Sequence, residues 1–330
     1  MTTTAVQSAR WRNLIMAGVA ALLLPLCAQG AAKWPDQPIK IVVPFAPGGS
    51  NDIIARLIAT KLSMRLNNPV IVENKGGAGG TIGTEYVTRS APDGYTLLFA
   101  STSITTNLAS SKILRYDLVK DLQPIGTIAT SPFAVVVSNS LLVKTFQDFL
   151  DLARAKPGSI NYGTAGIGGI NHLGTELLAH EAGIKLTHVP YKGIGPAFTD
   201  LLGGELQMLL PTVASSVQQI REGRMRGLAV TGAKRSPLLP NLPTVSEAGL
   251  PGFELEAWFG LLGPAGMPPD VVNRMNKELN AVLQMNEVEK QLAIEGANII
   301  PGTPEDLGNL IRSEIERWKR LIKDANIKVQ

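Results

Sequence analysis

The chain has 330 residues, with 31 Lys and Arg against 27 Asp and Glu, 45% apolar residues and 18% charged ones. This length suggests about two domains, and the apolar share supports real cores, which excludes a disordered chain. Aromatic residues make up only 5%, which argues against base-stacking platforms; beyond residue 32 the balance is 29 basic to 27 acidic residues, too even for a nucleic-acid footprint.

Residues 1–32 read as a secretory signal peptide. Arg10 and Arg12 precede an apolar run from Leu14 to Leu26, and the small residues Ala28, Gly30, Ala31 and Ala32 follow. The run is about 13 residues, short of the ~20 that span a bilayer. Cleavage after Gly30 or after Ala32 fits equally well, which implies export to the periplasm. An uncleaved anchor, or a lipid on Cys27, stays open as an alternative. Cys27 is the single cysteine, so the rest of the chain has no disulfide, thiolate nucleophile or Cys-ligated metal.

Apolar runs then alternate with stretches of helical period. Ile39–Val43 reads as a buried strand, and Ile54, Leu57, Ile58, Leu62 and Leu66 share one helix face. Val70–Glu73 is a strand, Ile82–Arg89 a helix and Thr96–Ala100 a strand. This βαβαβ rhythm predicts a mainly parallel sheet flanked by helices. Phe133–Val137 is a further strand. A second series follows, with helices near Phe146–Ala155, Asn171–Ala182, Pro196–Leu202 and Ser215–Arg221. Its strands fall near Ile160–Tyr162, Leu186–Val189, Met208–Leu210 and Gly227–Val230. Pro237–Pro251 is irregular, Trp258–Leu262 is a strand, and Val271–Leu283, Val288–Ile294 and Pro304–Ala325 are helical. No fixed-period repeat stands out. The expected organisation is a first lobe over 33–130 joined by 255–330, and a second over 131–254. Phe133–Val137 and Trp258–Leu262 are the expected crossover strands.

Three glycine-rich stretches sit where a strand hands over to a helix: 44–52, 74–83 and 162–172. At such a junction, free helix N–H groups and the helix dipole favour an anion, and glycine lets the backbone approach it. Tight turns with ordinary caps would read the same for any one loop, but a cradle in each half favours binding. No G-x-x-x-x-G-K-[ST] is present, which excludes a P-loop. The Gly166-x-Gly168 start of a dinucleotide fingerprint fails at Asn171, so no nicotinamide cofactor is expected. There is no G-x-S-x-G elbow, and His172, His180 and His188 show no metal spacing. His180 and His188 read as surface or satisfied polar groups. His172 either lines the cleft or caps locally. Asp52 either caps its helix, contacts a ligand amine or holds its loop. A secreted hydrolase or isomerase using the same cleft is the competing reading, and a ligand sensor for a membrane kinase is another; no catalytic triad spacing supports the enzyme.

The stretches Phe45–Asp52, Val72–Lys75 with Gly76–Gly83, Ala91–Tyr95, Tyr162–Leu173 and Pro190–Gly193 resemble the Bug family. So do Leu228–Thr231, Pro243–Val245 with Glu247–Gly249, and Trp258 with Pro264–Gly266. These are the periplasmic substrate-binding proteins of tripartite tricarboxylate transporters. The resemblance implies a type II periplasmic binding protein, two α/β lobes around a hinge, that holds a small carboxylate through loop N–H groups. It implies inner-membrane transporter subunits as partners, a monomer, and no metal or cofactor. The implied first-lobe contacts are Pro47, Gly48, Gly49, Ser50 and Asp52, with Ser101 and Thr102; the second-lobe contacts are Thr164, Ala165, Gly166, Gly168, Gly169 and His172. Two departures bear on the ligand. The family often has Ser or Thr at Gly169, and often an Asp at Pro211; without that Asp a carboxylate lacking an amine is expected, with an apolar body beside Leu210 or Ile167. Closure is expected to bend near Thr130–Phe133 and Glu256–Trp258, with Gly166 the glycine that limits it.

Overall fold

The computed structural model describes residues 34–110, 114–191 and 194–327. The signal peptide read at 1–32, with Cys27, and Lys192-Gly193 of the Pro190–Gly193 motif lie outside the described residues. Gln37–Gln330 form one unit that contains two sheets. The chain runs β1 (Ile39–Val43), α1 (Ser50–Leu66), β2 (Val70–Asn74), α2 (Thr81–Thr88), β3 (Thr96–Ser101), α3 (Ser103–Ser110) and β4 (Leu122–Pro132). The second sheet takes β5 (Ala134–Val137), β6 (Asn161–Thr164), β7 (Thr187–Pro190), β8 (Met208–Leu209) and β9 (Arg226–Val230). Between those strands lie α4 (Phe146–Ala155), α5 (Ile170–Ala182), α6 (Ile194–Gly203) and α7 (Val213–Arg221). The chain then returns through β10 (Glu256–Pro264), α8 (Pro269–Leu283), α9 (Asn286–Ile294), β11 (Asn298–Ile299) and α10 (Pro304–Asp324).

The first sheet has the order β11-β4-β10-β3-β1-β2 and the second β7-β6-β8-β5-β9. β1 lies inside the sheet between β3 and β2, and four of its five residues are fully buried, as a strand covered on both faces requires. Val42, Leu98, Ala100, Trp258 and Leu262 form one core layer with Ile104 of α3 and Leu307, Ile311 and Ile315 of α10. α10 is seated by its sequence: Thr303 and Asp306 make a capping box, Pro304 opens the first turn, and apolar residues recur every three or four positions. In the second sheet Val136, Leu209 and Val230 pack with Ala197, Leu201 and Val213.

The two-lobed α/β arrangement is present, but the sheets are mixed where the sequence rhythm predicts mainly parallel ones. β1 pairs parallel with β2 and β3, and β6 with β7 and β8. The strands nearest the crossings pair antiparallel: β4 and β10 with each other, and β5 with β8 and β9. A chain that leaves one sheet and re-enters it must run both ways along it. β4 has no counterpart among the strands expected from periodicity. It holds two prolines and a glycine in eleven residues, so it shows neither alternation nor an unbroken apolar run.

The chain passes between the sheets at Phe133, and returns at Leu255. Thr231, fully buried, binds both points. Its N–H donates to Phe133 O at 2.9 Å, and its O accepts from Leu255 N at 2.9 Å. Its hydroxyl accepts from Phe133 N at 2.8 Å and donates to Leu255 O at 2.5 Å. Thr231→Val keeps the shape and removes the hydroxyl. It leaves a buried N–H and a buried C=O one partner short, at about 1–3 kcal/mol each. Urea unfolding is expected to show Thr231→Val clearly destabilised and Thr231→Ser near the native midpoint; equal midpoints for Thr231→Val and the native chain would contradict this role.

Candidate ligand-binding cleft

The first cradle follows β1. Gly49 ends the extended chain before α1 with φ −88° and ψ 170°, and its carbonyl takes the Asp52 and Ile53 amides at 2.9 and 3.0 Å. The four leading N–H groups of a helix have no intrahelical acceptor, so the Ser50 and Asn51 amides fall to an outside partner. Gly48 has φ +89°, a conformation glycine adopts without strain, and its amide donates to Asp52 Oδ2 at 3.0 Å. Asp52 Oδ1 accepts from Asn74 Nδ2 and pairs with Arg56, both at 2.9 Å. Burial disfavours that carboxylate, but hydrogen bonds from Arg56, the Gly48 amide and Asn74 outweigh it and hold its pKa below the ordinary value. Asp52 therefore anchors the loop, and both its oxygens are engaged in doing so. Pro47, Gly48 and Gly49 are exposed, and a methyl group built at either glycine meets no atom within 4 Å.

The second cradle, after β6, repeats this construction. Gly169 caps α5 with φ −71° and ψ 168°, and its carbonyl takes the His172 and Leu173 amides, each at 3.0 Å. Gly168, at φ +79°, donates its amide to His172 Nδ1 at 3.1 Å. The Ile170 and Asn171 amides are left for an outside partner, as at Ser50 and Asn51. Gly48-Gly49-Ser50-Asn51-Asp52 and Gly168-Gly169-Ile170-Asn171-His172 are one device built twice. The shared signal, two glycines with an asparagine and an acceptor side chain behind them, stands in the sequence, and position-by-position reading passes it over. Thr164 is spent inside the loop: its hydroxyl meets the Gly166 amide at 3.2 Å and His188 Nε2 at 2.7 Å. Ala165 is exposed. Pro211 is buried and its carbonyl accepts from Ala134 N at 2.8 Å.

Ser101 and Thr102 lie at the carboxyl end of β3, next to β1, where ligands of open α/β sheets bind. Thr102 is committed to the scaffold, since its hydroxyl accepts from Trp258 N at 2.8 Å. The two lobes touch at Ser110, the end of α3, whose hydroxyl lies 3.4 Å from Gly168 O. A Cβ at Gly168 would sit 2.3 Å from Ser110 Oγ, whereas one at Gly166 finds its nearest neighbour at 3.9 Å. Of these two glycines, Gly168 is the one that lies against Ser110. The middle glycine stretch serves packing. Gly76, Gly80 and Gly83 lie against Pro44–Ala46, where an added Cβ would approach within 2.7–3.2 Å of its surroundings, and Asn107 Nδ2 donates to Gly79 O at 2.5 Å.

Behind the second cradle Tyr162, His188 and His172 form a stack, with ring centroids 5.0 Å apart for Tyr162–His188 and 4.0 Å for the two histidines. His188, read from sequence as surface or satisfied, is the satisfied case, and His180 is exposed. Tyr162 donates to Glu176, and burial pushes its hydroxyl pKa up, with the Glu176 charge adding to the effect. Burial lowers both histidines to about 4, helped at His172 by His188. Because Gly168 N–H points at Nδ1, neutral His172 carries its proton on Nε2. The unfolded chain, with histidines near 6.5, binds more protons than the folded one between pH 6.5 and about 4. The stability held by the neutral stack is therefore full above pH 6.5 and lost as pH falls towards 4. The native chain is expected to lose more unfolding free energy between pH 6.5 and 5 than His172→Asn/His188→Gln, measured by urea titration; parallel curves would contradict the neutral pair.

Among the described residues no group of three or more His, Cys, Asp or Glu is placed to hold a metal ion, and no helix is long and apolar enough to cross a membrane. Residues 54–327 match the family described as the tripartite tricarboxylate transporter family receptor. Protein BugT of Bordetella pertussis is 34% identical over 316 residues, spanning 95% of each chain. Among solved structures, R. palustris Rpa4515 with adipate is 36% identical, with a TM-score of 0.83, over 89% of this chain and 99% of that one. MatC from Rhodopseudomonas palustris with bound malate is 31% identical, with a TM-score of 0.80, over 88% and 100%. The chain belongs to the tripartite tricarboxylate transporter receptor family, the family of Bug solute-binding proteins.

Proposed function

We propose that the protein captures a small dicarboxylate between its lobes, one carboxylate on each cradle, and delivers it to the membrane subunits of a tripartite transporter. The observation that carries this reading is the duplicated cradle, which offers two outward amides at each of two helix starts and no Lys or Arg at either tip. Charge-assisted hydrogen bonds contribute about 1.5–3 kcal/mol net, so four of them across two loops supply about 6–12 kcal/mol towards the roughly −8 kcal/mol of micromolar binding, and the apolar body of the ligand must add to them to offset association costs. Relatives whose structures hold adipate and malate are consistent with a two-ended anion. We place this receptor in the periplasm, on the signal peptide expected at 1–32, and take it to act as a monomer. Commitment of Asp52, Thr102, Thr164 and His172 to internal bonds leaves these groups anchoring loops rather than moving protons, which supports a receptor over a hydrolase or isomerase.

A thermal-shift screen of dicarboxylates tests the reading. The true ligand at 100 times its dissociation constant is expected to add ~2.7 kcal/mol, and its diamide or diester much less. Equal affinity for acid and ester in calorimetry would sink the anion reading.

Each lobe alone meets only one end of such a ligand, so binding favours the closed state and shifts the population towards it. We place the moving boundaries at 33–130 with 255–330, and at 131–254, bending at Thr130–Phe133 and Glu256–Trp258. Small-angle scattering is expected to show a smaller radius of gyration with saturating ligand, and Gly168→Val, which collides with Ser110, is expected to reduce that change and weaken binding. A native protein whose radius stays constant on proven binding would show a preformed cleft instead.

A further inference from the structure

A cavity of about 310 Å³ lies between α1 and α9, at the lower end of the sizes that hold small molecules. No role assigned above uses it. Ile53, Ile54 and Leu57 give it an apolar wall on α1, and Arg56 and Lys61 stand on the same helix; Glu287 and Glu295 come from α9 and its C-terminal cap. Lys61 is the last of these α1 residues and pairs with Glu287, the first of the α9 residues, at 2.5 Å. The two helices therefore run antiparallel along the cavity. Glu295, eight residues beyond Glu287, shares its helix face about 12 Å further along the axis, at the end where Ile53 stands.

The charges that line the cavity do not cancel. Lys61 is spent on Glu287. Arg56 is spent on Asp52 at 2.9 Å and on Asn74 Oδ1 at 2.8 Å, and the Thr60 hydroxyl donates to Arg56 O at 2.8 Å. No ion pair or hydrogen bond among the described residues engages the Glu295 carboxylate, and burial pushes its pKa above the ordinary value. That carboxylate also caps the C-terminal end of α9, where the helix dipole favours a positive charge. A metal ion would need several oxygen ligands, and no group of three or more His, Cys, Asp or Glu is placed to hold one among the described residues. An anion would meet a carboxylate with both nearby cations already taken. What remains is a cation that needs one carboxylate and tolerates an apolar wall, and Ile53, 41% exposed, offers such a wall to an alkyl chain. We propose that this cavity binds a small organic cation, its ammonium or guanidinium group on Glu295 and its short alkyl body against Ile53, Ile54 and Leu57. The site is separate from the cleft, so its failure leaves the dicarboxylate reading untouched.

The test is an NMR titration of the isotope-labelled chain at pH 7.5 with n-butylamine and n-butylguanidine, against n-butanol and sodium chloride at matched concentration. Both cations are expected to give saturable amide shifts confined to residues 53–61 and 287–296, with n-butanol and sodium at least tenfold weaker. Glu295→Gln, checked for folding by its thermal transition, is expected to weaken the cations about tenfold or more. Glu289→Gln removes an exposed carboxylate of the same helix that does not line the cavity, and is expected to leave binding as in the native chain. Shifts that never saturate or fall elsewhere overturn the site, as does n-butanol binding as well as the amine. Cation binding that survives Glu295→Gln, or that Glu289→Gln lowers equally, overturns the assignment to Glu295 and with it the proposal.

Discussion

A single threonine governs where the two lobes stand. Thr231 saturates Phe133 and Leu255 from both its main chain and its hydroxyl, and those residues are the points at which the chain leaves the first sheet and returns. Two strands alone could twist past one another at such a waist. Thr231 ties them through one buried residue into a paired strap. The cradles depend on this, because each is useful only if the other arrives opposite it. Contact between Ser110 and Gly168 shows that the end of α3 meets the glycine loop of the second cradle.

In the proposed receptor, the cradles place the work of binding on main-chain groups and the work of holding shape on side chains. Asp52 and His172 accept the amide of the glycine just ahead of the helix, in the same geometry, with different chemistry. The carboxylate is ionised and neutralised by Arg56; the imidazole is neutral and buried in a ring stack. Both supports therefore persist into mildly acid conditions. The second is lost once Nδ1 takes a proton, because an imidazolium has no lone pair for Gly168.

Much of this architecture was visible in the sequence because it is local. Long apolar runs and helical periods placed most elements within a residue or two, and glycines at strand-to-helix junctions marked both cradles. What stayed hidden depends on partners far along the chain. β4 follows no alternation because it is covered on both sides and broken by prolines. Thr231 looked like the end of an ordinary strand, since its partners lie 98 and 24 residues away. His188 needed the stack with His172 to acquire a place. The glycines at 76–83 resembled a third cradle, and only the proximity of Pro44–Ala46 shows that they permit close packing. Whether Asp52 capped, bound or anchored could not be settled before the positions of Asn74 and Arg56 were known.

Reliance on peptide amides has a bearing on how such a receptor diversifies. Only a substitution to proline removes such an amide, so in the proposed receptor affinity for the anionic ends survives most other substitutions around the cleft that leave the two glycine pairs in place. Selection can then act on the side chains that line the cleft between the two glycine pairs, and retune which molecule is preferred without rebuilding the grip. The scaffold separates holding from discriminating, and a lineage built on it can change its diet one side chain at a time.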